Sequence, residues 1–426
     1  MSDFKFFIRF GVHKDRDVIK ELMGSIDGVC VPAHIFSYSP EPTVYAALTM
    51  NKNYFIDPMT YLYSDQDIED YVTTEEEGGR QFKPSVRKLT TDYQLLDFFK
   101  QRDFKKLEAV DMTENMIDEW VARNLFVQLE KIKENKESTI KRYTKILQDM
   151  GLEFPPVVAS NEPTFIVPPY FHFSSVSDPW FDINIQFAKR TREKQPNDSI
   201  VPIVLTNSGS LNKDLIIRYK NEGFKMLLVW VDDLNEKEVG GNGTQIGKLI
   251  SFANFIGMAN EEGVKIINLY GSYYSVLLGK IGLGGMCNGI FYGEYKSRKS
   301  KVGGGPQSRY YVRKLHDFIG LVPAISLLQD KKGSELLDTE TPECMKLING
   351  NPKNIFLFDS DHSLAQRHFV FSRRKELKNA SIKTLHELLV EIDHVVKEYT
   401  EVVSKASGTK KLDYLVSWRD ALKGFE

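Results

Sequence analysis

The chain has 426 residues, with 56 Lys or Arg against 58 Asp or Glu and a formal net charge of -2. Apolar residues at 42% and charged residues at 27% exclude a disordered, collagenous or coiled-coil chain, and the balanced charge excludes a dominant electrostatic footprint for nucleic acid or an anionic membrane. Three cysteines without a C-x-x-C pair exclude a disulfide scaffold and argue against a zinc ribbon.

The first seventeen residues, MSDFKFFIRFGVHKDRD, carry charges throughout and no small-residue cleavage site, so they do not read as a signal peptide. No stretch approaches the ~18 apolar residues of a membrane span. The expectation is a soluble, cytoplasmic protein that does not engage membranes.

Eight short apolar runs follow one another along the chain, rich in β-branched and aromatic residues. They are 5–10 (KFFIRF), 29–33 (VCVPA), 54–57 (YFID), 164–167 (TFIV), 200–206 (IVPIVLT), 225–231 (KMLLVWV), 265–270 (KIINLY) and 289–293 (GIFYG). Several are apolar on both faces, the pattern of a parallel strand covered on two sides. Helical periodicity separates most of them, at 14–23, 42–50, 182–194, 211–221, 244–260, 274–281 and 310–328. Strand alternating with helix predicts a parallel sheet, and eight such units predict a (β/α)8 TIM-type barrel over residues 1–335. An open doubly wound sheet is the alternative.

Two stretches exceed a minimal barrel. Residues 64–163 predict a helical insertion after the third strand, carrying a long apolar stripe over 113–150 with a break near Asn135. Residues 336–426 predict a mainly helical C-terminal extension packed on the barrel, with possible strand or packed-loop pieces at 355–358 and 368–371 and helices at 381–404 and 412–422.

Barrel enzymes of this type carry their chemistry at the C-terminal ends of the strands. The polar residues there are Gly11 and His13, His34, Asp57, Tyr170 and His172, Thr206 and Asn207, Asp232 and Asp233, Tyr270, and Glu294. Asp57 and Glu294 each follow an apolar strand directly. Two carboxylates in unlike surroundings can divide acid and base roles, so Asp57, Glu294 and, after them, Asp232 are the candidate catalytic residues. His34, Tyr170, His172, Asn207 and Tyr270 are the candidate substrate-binding residues. A metal built from His34, Asp57 and His172 has no close-spaced ligand motif behind it, and neither a metal nor another cofactor is expected.

The segment 279–313 is rich in glycine and basic residues. Loops after the last two strands of a barrel often bind phosphate, so Lys296, Arg298, Gly304, Gly305 and Arg309 are the candidate phosphate-binding residues, with GGGPQSRYY expected to lead into a helix. A second basic cluster, 367–378, interleaves arginines and lysines with Phe369 and Phe371 and suits either nucleic-acid contact or a solvated charged turn. No serine nucleophile elbow is present, and the cysteines read as packing residues.

In placement, Asp57 and Asp232 resemble the strand-end aspartates that base-exchange barrels of the tRNA-guanine transglycosylase type set around a planar base. The resemblance covers topology and those two acids. That family's zinc-binding cysteine cluster has no counterpart here, and IDPMTY stands where its D-S-G-G-F-Q-type motif would be.

The residues together predict a barrel enzyme, a transferase or hydrolase, acting with strand-end carboxylates on a phosphorylated small molecule, nucleotide or nucleic-acid component. The rival is a non-catalytic barrel that binds a protein partner through 113–150, with Trp120 and Leu125 on the partner surface.

Overall fold

The computed structural model describes residues 3–11, 21–22, 24–49, 53–65, 68–74, 79–155, 162–238, 244–290, 293–298, 308–406, 408–409 and 411–426. Most of the helix expected over 14–23 lies outside them. The fold is mixed α/β. Seven strands form one all-parallel sheet: β1 (Lys5–Arg9), β2 (Gly28–Pro32) and β3 (Asn53–Asp57), then β6 (Ile203–Thr206), β7 (Met226–Val231), β8 (Lys265–Asn268) and β9 (Gly285–Gly289). They lie in the order β3-β2-β1-β9-β8-β7-β6. A small antiparallel pair, β4 (Val72–Thr74) with β5 (Arg80–Phe82), sits in the insertion. A second, β10 (Arg309–Val312) with β11 (Asp317–Gly320), precedes the helices of the extension. Phe6, Ile8, Phe55, Ile56 and Leu227 to Val229 are fully buried, which is why those runs read as apolar on both faces.

The eighth strand was expected at 289–293 and lies four residues earlier. Gly285 lets β9 pair with β1, because a Cβ there would sit 2.5 Å from the Lys5 carbonyl oxygen. The run 310–328, expected as a helix, divides into β10, a 3-10 turn, β11 and the helix Leu321–Gln329. GGGPQSRYY thus leads into a strand.

The fourth expected strand, 164–167, is not a strand, and the sheet is open between β3 and β6. The reason is local. Pro168 and Pro169 follow and offer no N–H to a ladder. Side chains from elsewhere take over the backbone bonds of this extended segment. Gln128 accepts from Val167 N at 3.1 Å and donates to its carbonyl at 2.7 Å, and Asn124 donates to the same carbonyl at 2.9 Å. Thr60 Oγ1 bonds both Tyr170 N and Tyr170 O at 2.7 Å. Asn184 accepts from Phe171 N at 2.9 Å and donates to Phe171 O at 2.8 Å. Main-chain bonds still reach both sheet edges. Thr164 N donates to Tyr54 O of β3 at 2.8 Å, and Phe173 N donates to Leu205 O of β6 at 3.2 Å. A Gln128→Leu variant orphans the Val167 N–H and should lose roughly 1–3 kcal/mol of stability. A urea midpoint unchanged from the parent would remove this account of the segment.

The helices start where polar caps stand. Thr113, Asp178, Asn212 and Ser272 each accept a backbone N–H of the helix they precede, and Thr384 with Glu387 forms a capping box. The long insertion pattern is two helices, Glu114–Leu125 and Lys131–Asp149, joined by a π-helical turn over Phe126–Glu130, so the break falls earlier than Asn135. The apolar stripe of the first of these helices faces inward, whereas Ile146 and Met150 near the end of the second are exposed. Trp120 is 1% exposed and packs on Tyr63, Tyr93 and Phe171, which makes it core and not a partner surface.

The extension is mainly helical, but 355–358 and 368–371 are helical too, within Pro352–Phe356, Leu357–Ser360 and His362–Ile382. The basic cluster 367–378 therefore lies on a helix, and four of its basic side chains are paired with acids. Arg367 pairs with Glu21 and Glu343, Arg373 with Glu294 and Glu376, Arg374 with Asp27, and Lys375 with Glu340. No described helix is long and apolar enough to cross a membrane.

Candidate functional site

Chain segments far apart in sequence converge at the C-terminal end of the sheet. Arg9 ends β1, Asp57 ends β3, Trp230 is next to last in β7, and Tyr270 lies two residues past β8. Tyr61 comes from the 3-10 turn Thr60–Tyr63, and Tyr170 from the extended segment.

Asp57 is 1% exposed and fully engaged. Its Oδ1 accepts from Tyr170 Oη at 2.8 Å and from Met59 N at 3.0 Å, and its Oδ2 faces Arg9 Nη1 at 3.5 Å. Met59 adopts a left-handed φ of 56°, unusual for a non-glycine residue and often a mark of functional sites. This bend turns the Met59 sulfur back toward Arg9 Nη2 at 3.7 Å and His34 Nδ1 at 2.7 Å. Arg9 also lies over the Tyr270 ring at 5.4 Å. Among the described residues its five donors meet only that sulfur and the Asp57 carboxylate.

Lys296 arrives by a backbone crossing. Gly289 N donates to Gly293 O at 2.9 Å, and a Cβ on Gly293 would lie 2.6 Å from Gly289 Cα, so only glycine permits the close approach. Trp230 Nε1 then donates to the Lys296 carbonyl at 2.8 Å and fixes the residue over the sheet. The Lys296 amine meets Tyr61 Oη at 2.7 Å and lies 4.5 Å from the Trp230 ring centroid, 5.0 Å from that of Tyr61 and 5.6 Å from that of Tyr270. No carboxylate forms an ion pair with it among the described residues. Burial first, and then repulsion from Arg9, hold its pKa well below the usual lysine range, with Asp57 pulling the other way.

An outer ring completes the site. Asp232 accepts from Arg298 N at 2.6 Å and Nε at 2.9 Å, so it clamps the loop that carries Lys296. His172 Nε2 lies 3.3 Å from Asn207 Oδ1. Burial and then the charge of Arg298 lower the His172 pKa, and burial, Arg9 and Lys296 bring that of His34 down to about 3.

That last shift has a sign that can be measured. Unfolded His34 takes a proton near its usual value of 6.5, whereas folded His34 resists protonation until about 3. The folded protein thus keeps the whole of this contribution above the unfolded value and loses up to roughly 1.4 kcal/mol for each pH unit below it. His34→Gln should flatten the acid limb of a stability–pH curve. An equally steep limb in that variant would place the acid sensitivity elsewhere.

The structure brings together nine of the sequence candidates here: Asp57, Asp232, His34, Tyr170, His172, Asn207, Tyr270, Lys296 and Arg298, the last held by Asp232. It places Glu294 elsewhere. The Glu294 carboxylate is ion-paired to Lys237 at 2.6 Å and to Arg373, in a buried network tying the extension to the strand ends, and among the described residues it shares no partner with Asp57. Arg309 opens β10, exposed, on the ribbon that precedes the extension. His13, Gly304 and Gly305 lie outside the described residues. Sequence reasoning passed over Arg9, Met59, Tyr61 and Trp230. Arg9 had a signal, as the single charge within FFIRF; the aromatic residues had none, because they read as core.

No family model, curated protein or solved structure matches the chain. The site must be read from its own chemistry. No described group of three or more His, Cys, Asp or Glu is placed to hold a metal ion. What the described residues offer is a partly exposed arginine side chain facing one carboxylate, an amine with no carboxylate partner among them, a carboxylate–phenol pair, and aromatic walls.

Proposed function

We propose that the protein is an enzyme whose reaction centre is this strand-end cluster and whose substrate carries phosphate, a nucleotide or nucleotide component being the class its aromatic walls suit. The closed (β/α)8 form of the barrel belongs to the same proposal. It is supported by the hydrogen bonds that segment 164–173 makes to both β3 and β6.

The observation that carries the reading is Arg9. An arginine whose side chain is 14% exposed at the centre of the sheet end, and whose guanidinium among the described residues faces one carboxylate at 3.5 Å, suits an anion receptor. Arg298, clamped by Asp232, brings a second guanidinium to the loop that carries Lys296. Asp57 holds Arg9 and Tyr170 in place, and a proton can pass between the Tyr170 hydroxyl and the Asp57 carboxylate.

Thermal-shift titration with inorganic phosphate, ribose 5-phosphate and nucleoside monophosphates tests this. Stabilisation by the phosphorylated compounds that Arg9→Met removes is the expected result. Stabilisation by the nucleotides well beyond ribose 5-phosphate assigns part of the recognition to the base. No shift with any of them overturns the phosphate reading.

A further inference from the structure

We infer that Lys296 is a covalent attachment point for a carbonyl substrate, an aldehyde or ketone that also bears phosphate; this rests on the reading of the mouth as a phosphate-binding reaction centre.

The geometry separates Lys296 from an ordinary structural lysine. Lys237, another lysine at this end, is buried between two acids, with Glu294 at 2.6 Å and Asp317 at 2.9 Å. Lys131 is ion-paired with Asp92. Among the described residues the Lys296 amine has neither kind of partner, and its polar contact there is the Tyr61 hydroxyl at 2.7 Å. The residue as a whole is half-buried. The charged or titratable neighbours that act on it are Arg9, Asp57, Cys30 and Asp232. Removal from water and the nearby guanidinium push the group toward the free amine, against the ring faces of Trp230, Tyr61 and Tyr270, which favour the ammonium form. A free amine is the nucleophile that carbonyl condensation needs.

The step balances within the site. The Nζ lone pair attacks the carbonyl carbon, a C–N bond forms, and the carbonyl π pair moves to oxygen. The Tyr61 hydroxyl gives its proton to that oxygen and takes one from nitrogen. A second such exchange expels the oxygen as water and leaves a C=N bond. Both nitrogen protons end on the water, and no oxidant or reductant is consumed. Arg9 is positioned to hold the phosphate while this occurs.

The test is reductive trapping with glyceraldehyde 3-phosphate and sodium cyanoborohydride at pH 7, read by peptide mass spectrometry on the full chain. Lys296 should be labelled about tenfold or more faster than the typical exposed lysine, and excess inorganic phosphate should slow it. Tyr61→Phe should lower the rate at Lys296 and leave the other lysines unchanged. Labelling of Lys296 no faster than surface lysines overturns the inference. The two readings fail separately. Phosphate stabilisation without selective trapping removes the covalent role alone, and selective trapping indifferent to phosphate removes the anion reading alone.

Discussion

Replacing Arg373 with leucine should cost about 3–5 kcal/mol, a large share of the roughly 5–15 kcal/mol that holds a typical domain folded. The guanidinium is fully buried on the helix His362–Ile382 and ion-paired to Glu294 and Glu376. Glu376 also accepts from Tyr311 Oη at 2.9 Å and lies 2.6 Å from His316 Nδ1. Burial by itself would raise the Glu376 pKa, but Arg373 and then His316 pull it below the usual glutamate range. Removing Arg373 leaves two buried carboxylates short of a counter-charge, and that penalty exceeds any gain from a better-packed apolar side chain. The double variant Arg373→Leu with Glu376→Gln should recover part of the loss, since the amide carries no charge to neutralise. Urea unfolding of the parent, the single and the double variants decides it. A single-variant loss below about 1 kcal/mol would mean that the network is solvated and contributes little.

The second large effect concerns anion binding. Arg9→Met should weaken the affinity for phosphate-bearing ligands by about 10- to 100-fold, the equivalent of losing a charge-assisted contact of roughly 1.4–2.8 kcal/mol. Asp57→Asn should act in the opposite sense on binding while abolishing turnover. The neutral amide keeps an acceptor for Tyr170 and Met59 N but no longer offsets the charge of Arg9, so the anion is held as tightly as in the parent or more so. Proton transfer through Tyr170 then has no carboxylate to end on, and a positioned acid or base of this kind is worth about 10²–10⁴ in rate. Calorimetric titration with ribose 5-phosphate separates the two variants. Equal weakening by both would make Asp57 a mere support for Arg9, and turnover retained in Asp57→Asn would take it out of the mechanism.

Much of the mouth was legible because strand ends are local features. An apolar run stops at Asp57 or Trp230–Val231, and the polar residue beyond it must face the end of the sheet. Lys296 and Arg298 were legible as basic residues past the last strand. Glu294 was misread for a physical reason: its partner Arg373 stands 79 positions away on a helix, and nothing in the local pattern announces that the pair will meet. The arginines of 367–378 were ambiguous on the same ground, since a basic run looks the same whether it faces water or a row of acids.

The sequence by itself determined a parallel α/β architecture, through runs apolar on both faces alternating with amphipathic helices, and it determined which side chains stand where those runs end. Both depend on neighbours a few residues apart. Only the tertiary structure decided the rest. Pro168 and Pro169 withhold their N–H groups, and the amides of Gln128, Asn124 and Asn184 replace the missing ladder, so the sheet stays open where eight equal strands were expected. Glu294 is neutralised between Lys237 and Arg373 and is thereby separated from Asp57. Lys296, one basic residue among several in its loop, is the one carried beneath three aromatic rings beside Arg9. Desolvation and charge pairing are set by groups that fold in from distant segments, and periodicity carries no record of them.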